Sequence, residues 1–263
     1  TSGSTETCTD TDPHHHVRLE FAGWNTTVEA YDFSRLFVKS EPVHILGAGL
    51  SGLSAAIILS KNGYNVHVHE IRSDSGARFD GDFQGLENWT GSKDFFDEMR
   101  EWGLDPDSFK SDAFSVVDLI HPDDEITQPV TDGVAFRVVE RGTDEHCIDQ
   151  GFKRMAIEAG ATIHYGSKRG PEECQIIAAG PKDSSAVAFG EIFHTDHPNH
   201  VSFQLNDKLA PGAYSYLIII DGIGLICTCL WRKQKKSGRY LNETIAWYES
   251  CLLYTSPSPR DTG

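Results

Sequence analysis

Apolar positions recur along this chain with two periods, and the switches between them mark out its elements. Val43-His-Ile-Leu46 is a short apolar run that enters a glycine turn, Gly47-Ala-Gly-Leu-Ser-Gly52. Leu50, Leu53, Ala56 and Ile57 then recur at helical spacing, and after Asn62-Gly63 the valines Val66 and Val68 alternate with His67 and His69 as strand residues do. Residues 43–70 therefore predict a complete β-α-β unit. Residues 92–102 predict a helix capped by Ser92, with Phe95, Met99 and Trp102 as its buried stripe and Gly103 closing it. Phe114, Val116, Val117, Leu119 and Ile120 supply a strand, and 134–139 supply another. Residues 148–159 form a second amphipathic helix with Ile148, Phe152, Met155, Ala156 and Ala159 inward, followed by strands at 161–165 and 174–180. Residues 186–193, 201–205, 216–220 and 225–231 read as antiparallel strands, the last two joined through Asp221-Gly-Ile-Gly224. A helical stretch, 240–249, places Leu241, Ile245 and Tyr248 on one face.

The ends are different. Residues 1–12 are Ser, Thr, Asp and Glu with almost nothing to bury, which predicts disorder, and His14 to His16 read as part of a solvated tail. Residues 31–38 suit a helix or strand packed on the main domain. The opening Thr-Ser-Gly-Ser-Thr-Glu has neither the basic region nor the apolar run of a signal peptide. The stretch 251–263 resembles the translated adapter sequence that contaminates reading frames assembled from environmental DNA. That resemblance predicts a natural chain continuing past about residue 250.

Composition narrows the function classes. The 263 residues are 39% hydrophobic, enough for a sizeable core. With 23 Lys and Arg against 39 Asp and Glu, the net charge of -16 repels nucleic acid and anionic membrane. One anionic small molecule in a locally basic pocket stays compatible with that charge. Six scattered cysteines without a CxxC pair point to a reducing, cytoplasmic setting rather than a disulfide framework. The most apolar window, 214–231, is broken by Asp221, Gly222 and Gly224, so it predicts two strands and not a membrane span.

The glycine turn carries the chemistry. Gly47 permits a tight turn, Gly49 lets backbone approach a pyrophosphate, and Gly52 lets helix and strand pack closely. The helix N-terminus, beginning with Leu50 and Ser51, offers backbone donors and a partial positive charge to phosphates. Glu70 lies 23 residues after Gly47, placed to accept adenosine ribose hydroxyls and to repel a 2′-phosphate. This unit predicts a bound dinucleotide, FAD or NAD rather than NADP.

Glu70-Ile-Arg72 followed by Gly76-Ala-Arg78 resembles the extension of two-dinucleotide-binding-domain flavoproteins, where a Gly-Gly-Arg turn lies near the FAD diphosphate. Ala77 replaces the second glycine, a cost of about 1 kcal/mol if that position needs positive φ. The run 78–90, Glu101-Trp-Gly-Leu104, Glu140-Arg-Gly142, Ile148-Asp149, Asp196 and the run 206–217 are similar to the geranylgeranyl-reductase-like branch of FAD-dependent oxidoreductases, over roughly residues 43 to 249. The resemblance implies an α/β fold in which a Rossmann-like, three-layer FAD-binding domain (39–80 and 141–181) interleaves with an antiparallel substrate or cap domain (81–140 and 182–249). Residues 1–38 flank it and 250–263 form a non-native tail. FAD is the implied cofactor, NAD(P)H a candidate electron donor, and a polyprenyl or other apolar, lipid-like small molecule the implied substrate; a flavin-dependent monooxygenase would share the same core. Arg141 matches a family arginine at the flavin, with a surface ion pair to Glu140 or Asp144 as the plain alternative. Gly180 would let the chain pass close to FAD, and Arg72 and Arg78 would line its site. Asp82, Arg141 and Tyr216 are the implied catalytic candidates. Related flavoproteins carry a late Gly-Asp segment that approaches the FAD phosphates. None occurs between 232 and the end, so a catalytically incomplete fragment that retains only dinucleotide binding is a further reading.

Other chemistries find little support. Ile218, Ile220, Leu225 and Cys227 suit either a core or a substrate cavity. His194-x-x-His197-x-x-His200 has loop spacing without rigid helical ligand geometry, and no metal site is predicted. No Gly-x-Ser-x-Gly elbow is present. The basic cluster Arg232, Lys233, Lys235, Lys236 and Arg239 reads as a solvated loop, with an anionic surface as its alternative partner.

Overall fold

The computed structural model describes residues 15–21, 24–30, 41–130, 132–180 and 185–251. The expectations for 1–12, 31–38 and 252–263 lie outside the described residues. Strands β1 (His15–Phe21) and β2 (Trp24–Ala30) pair antiparallel in a hairpin, so His15 and His16 open a strand rather than continue a tail. Next come β3 (Val43–Leu46), α1 (Leu50–Lys61), β4 (Val66–Glu70), β5 (Phe83–Glu87), α2 (Phe95–Glu101), β6 (Ser111–Phe114), β7 (Asp118–Ile120), β8 (Ile126–Thr127) and β9 (Phe136–Glu140). The second half holds α3 (Ile148–Glu158), β10 (Thr162–Tyr165), β11 (Ile176–Ile177), β12 (Val187–His194), β13 (His200–Gln204), β14 (Ser215–Ile220), β15 (Ile223–Leu230) and α4 (Ser237–Cys251).

The fold is α/β, with a Rossmann-like parallel sheet interleaved with antiparallel and mixed sheets. The parallel sheet has the order β10-β4-β3-β11. Val43, Ile45, Val66 and Val68 point to one face, where α1 and α3 bury them with Leu53, Ile57, Phe152 and Met155. Alternation sends His44, His67 and His69 to the other face, beside His164 of β10. Strand 174–180 is shorter than predicted: only Ile176 and Ile177 pair in register with β3.

The predicted helix at 92–102 starts later. Asp94, not Ser92, caps α2 by accepting a bond from Phe96 N–H at 2.8 Å. Phe96 and Met99 take the buried positions, while Trp102 is half exposed. The α2 side chains and Phe109 join the core of the parallel sheet.

The six-stranded sheet, β12-β15-β14-β13-β7-β8, is antiparallel except where β13 runs parallel to β7. Strand β14 is buried on both faces, which explains its unbroken apolar run. Ile218 and Ile220 pack with Phe83, Phe136 and Val138 of the three-stranded sheet β5-β9-β6, whereas Leu217 and Ile219 pack beneath Leu241 and Tyr248 of α4. Asp221 and Gly222, both at positive φ, make a two-residue turn into β15, so Ile223 and Gly224 of the predicted four-residue link already belong to the strand. Ile220 and Leu225 are core residues, while Ile218 also reaches a cavity. The basic cluster after β15 lies exposed, with Arg232 paired to Asp207 and Arg239 to Glu243. Among the described residues no helix is long and apolar enough to cross a membrane.

Candidate functional site

At the C-terminal edge of the parallel sheet, a cavity of about 470 Å³ opens over the turn between β3 and α1. Three glycines shape this turn in three ways. Gly47 has φ +102, and a Cβ there would sit 2.4 Å from the Ala178 carbonyl oxygen. At Gly52 a Cβ would fall 1.9 Å from the Gly47 carbonyl oxygen, so the helix can approach its own loop only with hydrogen at that position. Gly49 differs: its backbone is extended, and a Cβ would meet no protein atom within 4 Å. It lines the cavity, so its missing side chain leaves room for something other than protein. Behind it, α1 begins with Leu50 and Ser51 and carries neither a side-chain cap nor an acidic residue in its first turn. Its leading N–H groups and positive dipole end remain available to an anion.

Glu70 ends β4 with its side chain largely buried. One carboxylate oxygen accepts Ala48 N–H at 3.0 Å and the other accepts Arg72 N–H at 2.9 Å, which ties the strand end to the glycine turn. The next loop closes the cavity with Gly76, Ala77, Arg78 and Phe79. Gly76 takes the positive φ of +81, and its Cβ would strike the Gly142 carbonyl oxygen at 2.2 Å. Ala77 is not among the positive-φ residues, so alanine carries no such strain there.

Arg141 is nine-tenths buried at the end of β9, but its partner is neither Glu140 nor Asp144. Its Nε and Nη2 donate to the two oxygens of Asp149 at 2.7 and 2.9 Å, and its Nη1 donates to Gln84 Oε1 at 2.6 Å. The guanidinium lies 4.0 Å over the Phe79 ring. Asp149, fully buried in the first turn of α3, also accepts Gly142 N–H at 3.2 Å. With each of its three nitrogens engaged, Arg141 pins β9, α3 and the Phe79 loop together.

The far rim of this cavity carries His69, Ser167, Lys168 and Arg169. Burial and the nearby Arg169 push the His69 imidazole down to about 4, so it stays neutral. Arg72, Arg78, Lys168 and Arg169 make the cavity locally basic in a strongly acidic chain. Gly180, at φ +77, lies on the same wall and a Cβ there would meet only open space.

A second cavity of about 600 Å³ lies between the three-stranded and six-stranded sheets. Trp89 stacks on Phe136, Phe136 meets Phe203 edge-on at 5.3 Å, and Phe203 contacts Tyr214 and its cross-strand partner Tyr216. Leu119, Leu205, Ile218 and Cys229 complete an apolar wall. Burial and Cys227 push the Tyr216 phenol well above its ordinary value, so it is a hydrogen-bond donor and not a phenolate.

The structure brings Gly47, Gly49, Glu70, Arg72, Arg78, Arg141 and Gly180 around one cavity. Leu50, Ser51 and Gly52 form the first turn of the helix behind it. Tyr216 belongs to the second cavity. Asp82 lines neither of these two cavities: its carbonyl accepts Arg141 N–H at 2.9 Å, and its charge is felt at Cys227 beside Tyr216. Gln84 joins the two cavities, since it binds Arg141 and lines the aromatic wall. Sequence reasoning missed Asp149 as a site residue, although an acid at an inward position of an amphipathic helix was a readable signal. It also missed the Lys168-Arg169 pair and the aromatic wall, whose members meet only through strand register. Among the described residues, His194, His197 and His200 do not converge as ligands.

A family model described as a NAD(P)-binding Rossmann-like domain matches residues 45–82. The chain is similar to hydroxysqualene dehydroxylase of Rhodopseudomonas palustris, 54% identical over 39 residues, which is 15% of this chain and 9% of that protein. It is also similar to the enzyme of that name from Sinorhizobium fredii, 50% identical over 48 residues, 18% of this chain and 12% of that protein. Among solved structures, a geranylgeranyl bacteriochlorophyll reductase-like protein from Thermoplasma acidophilum matches with a TM-score of 0.57 at 17% identity, over 79% of this chain and 62% of that one. A variant of 2-methyl-3-hydroxypyridine-5-carboxylic acid oxygenase matches with a TM-score of 0.51 at 13% identity, over 81% of this chain and 66% of that one. The chain thus covers less than two thirds of each of these proteins. It carries a Rossmann-like unit of the NAD(P)-binding kind at 45–82, in a fold that reductase-like and oxygenase proteins share.

Proposed function

We propose that the basic cavity holds FAD and that the chain belongs to a flavin-dependent oxidoreductase acting on an apolar, unsaturated small molecule in a reducing, cytoplasmic setting. The observation that carries the reading is Gly49, a glycine whose side-chain space is empty and faces the uncapped N-terminus of α1. A diphosphate fits that space with donors from α1, and Glu70 keeps carboxylate lone pairs for a ribose. Arg78 and the Gly180 wall line the remainder. When bound, FAD supplies hydride and electron transfer that no side chain provides. Five free cysteines among the described residues support the reducing setting.

Within this reading Arg141 is a positioning residue, since each of its nitrogens is bonded to Asp149 or Gln84. Tyr216 is the group that touches substrate, offering a protonated hydroxyl from a wall whose other polar members include Gln84, Glu87 and Tyr214. Asp82 is the polar group between the two cavities. The aromatic cavity excludes water and suits a polyprenyl chain or another flat, unsaturated apolar molecule. NAD(P)H is the candidate electron donor in this reading, docking from solvent because FAD fills the cradle. The oxygenase-like fold match favours a second reading, oxygen insertion by the same core.

Reconstitution with FAD, followed by gel filtration and anaerobic addition of NAD(P)H, tests the proposal. Co-eluting flavin at one per chain that bleaches with NAD(P)H supports it. A folded chain that retains NAD+ and excludes FAD would overturn it. Oxygen consumption stimulated by an apolar acceptor would shift the assignment to the oxygenase.

A further inference from the structure

The turn between β9 and α3 holds a second cluster of chemistry outside both cavities. Glu140 Oε2 lies 2.8 Å from His146 Nε2, and one donor atom each from Glu140, His146 and Cys147 lie within 4.8 Å of one another. Among the described residues this is the group of three or more such side chains that converges this closely. Zinc bonds of about 2.3 Å to sulfur and 2.0–2.2 Å to nitrogen and oxygen set ligands roughly 3.3–3.7 Å apart, so small side-chain rotations close the set. The Glu140 and His146 side chains are solvent-accessible, and Cys147 is buried beneath them. Each therefore offers a different atom, with an accessible side left for water.

A divalent ion would be met by one thiolate and one carboxylate, which together neutralise it, with the thiol proton released to solvent on binding. Sulfur and imidazole select a borderline-soft ion over magnesium or calcium.

We infer that Glu140, His146 and Cys147 form a three-ligand site for one divalent ion of the zinc class, with a fourth position open to water. An ion there would clamp the end of β9 to the start of α3, next to the Arg141–Asp149 pair.

Cobalt(II) chloride, titrated into the full chain under a thiol-free reductant, is the probe. Cobalt taken up by nitrogen ligands such as His14 to His16 gives no sulfur-to-metal charge-transfer band, so that band reports the proposed site. The inference expects a band saturating at one ion per chain, bleached by zinc, lost in Cys147→Ser and retained in Cys229→Ser. His146→Gln and Glu140→Gln, at accessible positions that leave the fold intact, should each weaken cobalt binding by at least about tenfold, the scale on which even outer partners of a ligand act. No thiolate band, a band that survives Cys147→Ser, or unchanged affinity in both accessible variants would overturn the inference.

Discussion

The two cavities are built by opposite means. The basic one is a backbone device: Gly47, Gly49, Gly52 and Gly76 shape it, the first turn of α1 supplies its donors, and Glu70 ties strand to turn. The aromatic one is a side-chain device: Phe136 comes from β9, Phe203 from β13, Tyr214 and Tyr216 from just before and within β14, and Trp89 from the loop after β5. Backbone geometry fails abruptly when a single atom is added. A packed wall of rings changes shape by degrees. The region around Arg141 connects the two, and there the chain accepts a buried ion pair to hold both in register.

Breaking that connection should have the largest effect. Asp149→Ala leaves the Arg141 guanidinium buried without its carboxylate, a loss of about 3–5 kcal/mol. Urea unfolding measures it, and a cost below about 1 kcal/mol would mean that the pair does not pin β9 to α3. Adding one methyl group at Gly52 comes next. The resulting clash with the Gly47 carbonyl should cost about 1–3 kcal/mol and widen the glycine turn, with FAD retention on gel filtration lost in parallel. Glu70→Gln removes a charge from the cradle but keeps its shape. It should weaken FAD binding by about 2 kcal/mol, roughly thirtyfold, in a fluorescence titration.

Acid should act on the basic cavity through His69 on its rim. His69 is held at about 4 in the folded chain against an ordinary 6.5. Burial likewise lowers His44 and His67. The unfolded chain therefore binds more protons below pH 6.5. The stability associated with the neutral His69 ring is complete above that value and is lost as pH falls from about 6.5 to 4, by roughly 1–2 kcal/mol. Thermal melts across this range should flatten in His69→Gln, and an unchanged slope would exclude the ring. The smallest effect belongs to Tyr216→Phe. Removing one hydroxyl from the aromatic wall should move stability by less than about 1 kcal/mol and leave FAD affinity unchanged, while turnover of an apolar substrate falls. A matching fall in FAD affinity would mean that the cavities are not separate devices.

This contrast also explains what was legible beforehand. The β-α-β unit, the glycine turn and Glu70 could be read because their geometry is local: each depends on residues within one short stretch and on which of them lacks a Cβ. The Asp221-Gly222 turn was readable for the same reason. Helix α2 was misplaced because two capping residues, Ser92 and Asp94, lie two positions apart, and only packing of Phe96 into the core chooses between them. The partner of Arg141 could not be read from neighbours. Asp149 is eight residues away, and a helix start has to form before the two meet. The aromatic wall depends on the register of β13 against β14, which pairs Phe203 with Tyr216 and leaves no local trace.

The central claim, that Gly49 is kept bare for a dinucleotide, has a direct test in Gly49→Val. The backbone there is extended and a Cβ meets no protein atom within 4 Å, so the variant should fold and melt like the parent chain. FAD titration of both proteins, followed by flavin absorbance, should show one FAD bound per parent chain and binding at least about a hundredfold weaker in the variant, the loss of roughly 3 kcal/mol of diphosphate contacts. A Gly49→Val chain that is folded and binds FAD as tightly as the parent would contradict the account.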